Sequence, residues 1–490
     1  MTDLDLSGTR IQGNFPDQIF LLPNLRVLYL CGNIHLTGYL PKCNWSSPLR
    51  ELDLSLSDFS GEIPYSIGNL LFLETVDITY CNFMGSIPTS TGNLSKATEI
   101  LFASNHLTGQ LPHHVSGLLY LTNLDLFGNS LQGKVPSWLF TLPSLVSVNL
   151  AWNKLTGPID GFQSPNSLEE VHLEKNQIHG TIPSSLFQLV DLTHLDLSSN
   201  NLSGSVALSG WKSLIDLDLS NNFLTHIALH PWKNIRTLDL RNNKIQGSIL
   251  VPPPSTEVFL VSNNKLSGQI PPYICSLSSL KYLSLSHNNL SGTIPPCLGN
   301  FTTQLITLHL KNNSLEGHIH DTFENASNIQ SFDLNCNKFE GSLPRSLAKC
   351  VKLEVVNVGN NMINDTFPCW LGSLPLLKIL ILRSNRFYGP LCKSITTFSF
   401  QALRIIDLSR NEFKDFLPRR NFTSMEAMKN VDEQATRLQY MGHAYYDESV
   451  TVAMKGHDFQ LYMLNLDQIY IPNQESPGLA ELSNQELRMV

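Results

Sequence analysis

The stretch LDLFGNSLQG, residues 124–133, decides the fold, because its frame returns along most of the chain. LSLSHNNLSG at 283–292 repeats the pattern L-x-L-x-x-N-x-L-x-G. The asparagine recurs about every 24 residues, at Asn105, Asn129, Asn153, Asn176, Asn200, Asn222, Asn243, Asn264, Asn288, Asn313, Asn337, Asn361, Asn385 and Asn411. Upstream the same place is held by Thr9, Asn33, Ser57 and Cys81. A leucine frame with this period specifies stacked repeats, each too small to bury its own core. The expected fold is an α/β leucine-rich-repeat solenoid. A curved parallel β-sheet would line its concave face, with short helical, 3-10 or loop segments on the convex face.

Each position of the frame has a physical reason. In L-x-L the leucines point to one side and the intervening residue to the other, the period of a short strand. The asparagine stands where the chain leaves the strand, where its amide can satisfy backbone groups of its own and the adjacent coil. The glycine that follows suits a turn with unusual backbone angles. Ile-Pro then recurs at Ile63-Pro64, Ile87-Pro88, Ile182-Pro183, Ile270-Pro271 and Ile294-Pro295. Proline lacks a donor and fixes φ, so it ends pairing and opens the outer segment.

Composition agrees with a packed solenoid. The 490 residues are 42% hydrophobic and 15% charged, with net charge −8. The chain carries no basic stripe of the kind that points to nucleic acid. No apolar run is long enough to cross a bilayer, and LPLLKILIL near Leu380 is a repeat core carrying a lysine. The repeats begin at once with LDLSGTRIQG after Met1, and neither a secretory signal nor a capping segment precedes them. About eighteen repeats fill residues 1–418, a non-repeat insert follows at 419–465, and residues 466–490 form a polar, divergent tail.

The repeat version L-x-G-x-I-P, the short coils between Asn222, Asn243 and Asn264, the H-P-W and P-P-P stretches and AYYDESVTVAMKG at 444–456 carry a closer resemblance. Together they resemble plant leucine-rich-repeat receptor-like proteins of the Cf-type disease-resistance class, over roughly residues 1–460. The resemblance implies that 419–465 is part of an island domain and that the chain is truncated at both ends. It implies a glycoprotein at the extracellular side of the plasma membrane, reaching the membrane only through a transmembrane helix missing from this chain. The expected function is ligand sensing in defence or developmental signalling. Its partners would be a peptide or protein ligand and receptor kinases serving as adaptor or co-receptor. Two alternatives differ in kind: an inhibitor of a secreted microbial enzyme, like the shorter polygalacturonase-inhibiting proteins, or a truncated decoy or gene fragment.

Chemistry is sparse. His172, His287 and His309 stand singly on the inner face, and His113-His114 is an adjacent pair on an outer segment. No phosphate loop, kinase signature or G-x-S-x-G occurs, so no enzyme activity, cofactor, metal or catalytic residue is expected. Nine cysteines leave at least one unpaired in a secreted chain. Candidate bridges between consecutive outer segments are Cys275 with Cys297 and Cys350 with Cys369, and Cys392 competes for Cys369. Cys81, in the asparagine place, reads as a small buried residue. Glycosylation acceptors by N-x-S/T are Asn44, Asn93, Asn201, Asn289, Asn300, Asn312, Asn325, Asn364 and Asn421. Chance predicts roughly seven such triplets in this composition, so their number alone carries no argument.

Ligand contacts are expected on the inner face. Its default residues are an aspartate four before the turn asparagine and a serine two before it, as Asp196 and Ser198, and these read as solvated. Tyr29, Leu56, Tyr80, Leu101, Phe127 and Trp152 place large apolar groups there instead, on successive coils. Such groups anchor partners. A second, charged set comprises His172, Glu174, Lys175, Arg241, His309, Lys311, Arg383 and Arg410.

Overall fold

The computed structural model describes residues 1–42, 45, 47–161, 166–207, 212–228, 234–250, 252–299, 304–392 and 400–414. It also gives the backbone of 442–443, 446–447, 449–454, 457–465 and 468–470. The chain divides into two compact units, Met1–Ile245 and Gln246–Val490. Most of the expected insert at 419–465 lies outside the described residues. Within it, strands Ser449–Met454 and His457–Asn465 pair antiparallel.

In the first unit every coil contributes one three-residue strand at L-x-L. Thr75–Asp77, Glu99–Leu101, Asn123–Asp125 and Ser147–Asn149 are consecutive examples, paired in parallel without slippage. The second unit repeats the arrangement, from Val258–Leu260 through Ile405–Asp407. The frame leucines are fully buried; Leu150, Leu197, Leu283 and Leu310 are among them. Stacking thus builds a continuous core within each unit from residues that no single coil could hide.

The asparagine works as a clamp between coils. Asn153 Nδ2 donates to the carbonyls of Leu126 at 3.0 Å, Leu150 at 3.1 Å and Ala151 at 3.2 Å, while its Oδ1 accepts the Leu131 N–H at 3.0 Å. The stand-ins keep part of this: Thr9 donates to the Leu6 carbonyl, and the Cys81 thiol points at that of Leu54. Cys81 is buried, as its place in the frame implies.

Three further features complete the coil. A second set of parallel strands follows the asparagine, for example Asp58–Glu62 beside Asn82–Ser86. The outer segments, where helical, are all 3-10 among the described residues, as at Tyr65–Asn69 and Thr89–Asn93 behind Pro64 and Pro88. Finally, the residue just before the asparagine is left-handed in coil after coil, with φ 52° at Leu56, 55° at Tyr80 and 56° at Trp152. The glycine after the asparagine is left-handed too, φ 79° at Gly133, as the turn requires.

One defect interrupts the first unit's core. The outer segment after Pro112 forms no helix, and an apolar cavity lies against it, lined by Ile87, Thr91, Phe102, Val115, Leu118 and Trp138 among others. The Thr91 hydroxyl is buried there without a hydrogen-bond partner among the described residues. Thr91→Val keeps the shape and removes the stranded hydroxyl. It should raise stability by about 1 kcal/mol, read as a higher denaturant midpoint at unchanged slope.

Two disulfides join consecutive outer segments of the second unit: Cys275–Cys297 and Cys369–Cys392, with Cα separations of 6.0 and 5.9 Å. Cys350 therefore does not pair with Cys369. It is buried beside the Phe323 carbonyl, and burial pushes its thiol up to about 11.

Candidate ligand-binding face

The inner face of the first unit is built from alternate residues of each strand and the left-handed residue at its rim. The aspartates here are not solvated defaults, because each caps its own turn. Asp77 accepts the Thr79 N–H at 2.8 Å, Asp125 that of Phe127 at 3.0 Å, Asp196 that of Ser198 at 2.8 Å and Asp218 that of Ser220 at 2.8 Å. This bond holds the backbone as it turns into the left-handed residue. Ser198 is itself buried.

The apolar group divides by position. Leu56, Tyr80 and Trp152 stand at the rim, 51%, 60% and 49% exposed. Phe127 is half-buried one strand position inward, and its ring lies 6.2 Å from that of Trp152. Lys175 Nζ sits 3.6 Å from the Trp152 centroid, a cation–π contact that extends the row by one coil. Leu101 and Tyr29 are half-buried on the strand. Tyr29 differs in kind, since its hydroxyl donates a short hydrogen bond to Glu51, which pushes its pKa up to about 12.

The charged group does not form one site. His172 and Glu174 are half-buried beside the aromatic row. Glu174 Oε2 is shut off from water without a hydrogen-bond partner among the described residues, and burial pushes the carboxyl up to about 7. Arg241 is committed to Asp239, with Nε and Nη2 both donating to its carboxylate. In the second unit Lys311 is 3.7 Å from Asp333. His309 and Arg383 are buried, 8% and 1% exposed, so neither is the open surface residue its frame position implies. His309 Nε2 lies 2.8 Å from Ser331 Oγ. Arg410 is exposed.

The second unit also hides apolar inner-face residues that the frame reading passed over: Val258, Leu260 and Tyr282 in one cluster, and Val355, Ile379 and Ile381 further on. Their signal was available in KILILR, where the alternation of a half-exposed strand gives way to an unbroken apolar run.

Of the glycosylation candidates, Asn93, Asn201, Asn289, Asn312, Asn325 and Asn364 are exposed, and Asn44, Asn300 and Asn421 lie outside the described residues. Among the described residues no group of His, Cys, Asp and Glu could hold a metal ion. No described helix is long and apolar enough to cross a membrane.

The family described as Leucine Rich Repeat matches at 48–70, 72–94, 120–142, 167–189, 191–211, 234–256, 255–277, 279–301 and 328–350. Receptor-like protein 35 of Arabidopsis thaliana is 39% identical over 197 residues, 39% of this chain and 20% of that protein. Receptor-like protein 43 of the same plant is 42% identical over 171 residues, 34% of this chain and 23% of that protein. The chain is a leucine-rich-repeat solenoid and, over these stretches, is similar to plant receptor-like proteins. The stretches aligned with these two relatives span less than a quarter of either one's length. Among solved structures, the plant peptide hormone receptor RGFR1 in complex with RGF2 superposes with TM-score 0.80 at 31% identity, covering 85% of this chain and 68% of the receptor. The Arabidopsis receptor kinase HAESA, in complex with the peptide hormone IDA and the co-receptor SERK1, gives 0.70 at 25% identity, covering 86% and 80%.

Proposed function

We propose that this chain is a ligand-sensing extracellular segment of a plant receptor-like protein. It binds a peptide or protein on the inner face of its first unit and acts through partner receptor kinases in defence or developmental signalling. The observation that carries this reading is the rim row of Leu56, Tyr80 and Trp152, three large exposed apolar side chains on left-handed backbone. A left-handed residue with a bulky side chain costs roughly 1–2 kcal/mol relative to right-handed backbone, and Gly or Asn relieves much of that. Exposure forfeits the burial that would offset the cost. Asn221, Asn242 and Asn263 hold the same left-handed position, which Asn tolerates better than a bulky apolar residue. The peptide complexes formed by RGFR1 and HAESA support a peptide ligand, and the co-receptor SERK1 in the latter supports a co-receptor partner.

The triple variant Leu56→Asn, Tyr80→Asn, Trp152→Asn separates binding from folding. It should be more stable than the parent by about 1–2 kcal/mol. It should also lose the peptides that the parent retains from an apoplastic wash, identified by mass spectrometry. Equal retention by both proteins would move the ligand off this face.

A further inference from the structure

The chemistry around the rim row points to the charge of what docks there. Between Tyr80 and Trp152 the rim position passes through Ser104 and Gly128, both left-handed. No side chain longer than a hydroxymethyl group therefore stands between the two aromatics. Three inter-strand spacings separate them, about 15 Å. The strand positions beneath are Leu101, Ala103, Phe127 and Ala151, so this gap has an apolar floor.

Its inward flank is acidic. Asp53, Asp77 and Asp125 occupy one column of the strand face, with Leu101 between the last two. Glu51 and Glu99 stand at the head of the same strands. Among the described residues none of these three aspartates is paired with a lysine or arginine. Burial pushes the Asp77 and Asp125 carboxyls above the ordinary range, and in Asp77 the neighbouring aspartates add to it. His172, two coils beyond Asp125, acts on it in the opposite direction. Lys175 lies over Trp152 at the far end of the row, and Arg50 pairs with Glu74. An apolar gap beside half-buried carboxylates without cationic partners is complementary to a cation placed next to an apolar side chain.

We propose that this face docks a basic peptide segment, seating one apolar side chain in the gap between Tyr80 and Trp152 and presenting lysine or arginine to Asp77 and Asp125. The inference rests on the ligand-face reading above and adds the chemical class of the ligand to it. An acidic segment would meet like charge at the same column and be rejected.

Three synthetic nonapeptides test it against the full chain by surface plasmon resonance at low salt: a lysine–leucine–lysine core, the same with glutamate for lysine, and the same with serine for leucine. The lysine–leucine probe should bind at least about tenfold more tightly than the glutamate probe, and the preference should shrink as salt rises. Asp77→Asn with Asp125→Asn should remove that preference while leaving the thermal midpoint in place or higher. The serine probe should bind more weakly than the leucine probe on the parent and equally on Tyr80→Asn. A glutamate probe that binds as well as the lysine probe, or a preference untouched by the two Asp→Asn changes, overturns the proposal. If the glutamate probe wins but still depends on Tyr80 and Trp152, the ligand face stands and only its charge class fails. Failure of all three probes to distinguish the parent from the rim triple variant sinks both.

Discussion

Replacing Asn200 by alanine should cost about 3–5 kcal/mol, among the largest effects of any single change in this chain. Asn200 is buried, and its Nδ2 donates to the carbonyls of Leu173 at 2.9 Å, Leu197 at 3.2 Å and Ser198 at 3.1 Å. Its Oδ1 accepts the Ile178 N–H at 3.0 Å. Alanine would strand the Ile178 amide where water cannot reach it and take a donor from the Leu173 and Leu197 carbonyls, while the Ser198 carbonyl keeps the Lys175 N–H. Aspartate should be no better at neutral pH, because it offers those carbonyls a second acceptor instead of a donor. Hydrogen exchange is the sharpest readout. The Ile178 amide should lose protection in both variants, while amides several coils away keep theirs, since coils interact with nearest neighbours. Uniform loss across the first unit would mean that the clamp is global.

The second large effect depends on pH. Asp218 lies in register between Asp196 and Asp239 on adjacent strands. Burial, then the charges of Asp239 and Asp196, push its carboxyl up to about 7, against the Ser220 hydrogen bonds that lower it. A carboxyl whose folded pKa is raised stabilises the fold fully below its unfolded pKa, where both states hold the proton. That contribution is lost as pH rises through the folded pKa, because the folded chain must then carry the charge. Stability should therefore fall between about pH 4 and pH 7. Asp218→Asn keeps the acceptor for the Ser220 N–H and cannot ionise. It should gain about 2 kcal/mol over the parent at pH 7.5 and nothing at pH 4, less than the full shift implies because neighbouring carboxyls share the proton. Parallel denaturation curves at the two pH values decide it. An equal gain at both would place the effect in packing rather than charge.

Much of this was legible in the residues. L-x-L, the asparagine and Ile-Pro each perform a local task that the rest of the coil cannot override, so strand, clamp and outer segment follow from the frame. The left-handed residue before the asparagine was not legible, because Leu56, Tyr80 and Trp152 are poor residues for it and hide the rule that Asn221 and Asn242 obey. The aspartate caps were missed for a related reason: Asp196 looks like any surface carboxylate until the turn it holds is drawn. Exposure in the second unit failed at His309 and Arg383, since a frame position gives the direction of a side chain and not what lies over it. The bridge from Cys369 depended on an offset within the outer segments, which repeat spacing does not resolve.

The left-handed rim position has a consequence for how such a surface changes over generations. It lies outside the leucine core and before the asparagine clamp, so the coil stands whichever residue occupies it. Its occupant is answerable mainly to the partner. Recognition can then be rewritten one coil at a time, each trial costing a modest and recoverable amount of stability, while the scaffold beneath keeps its register.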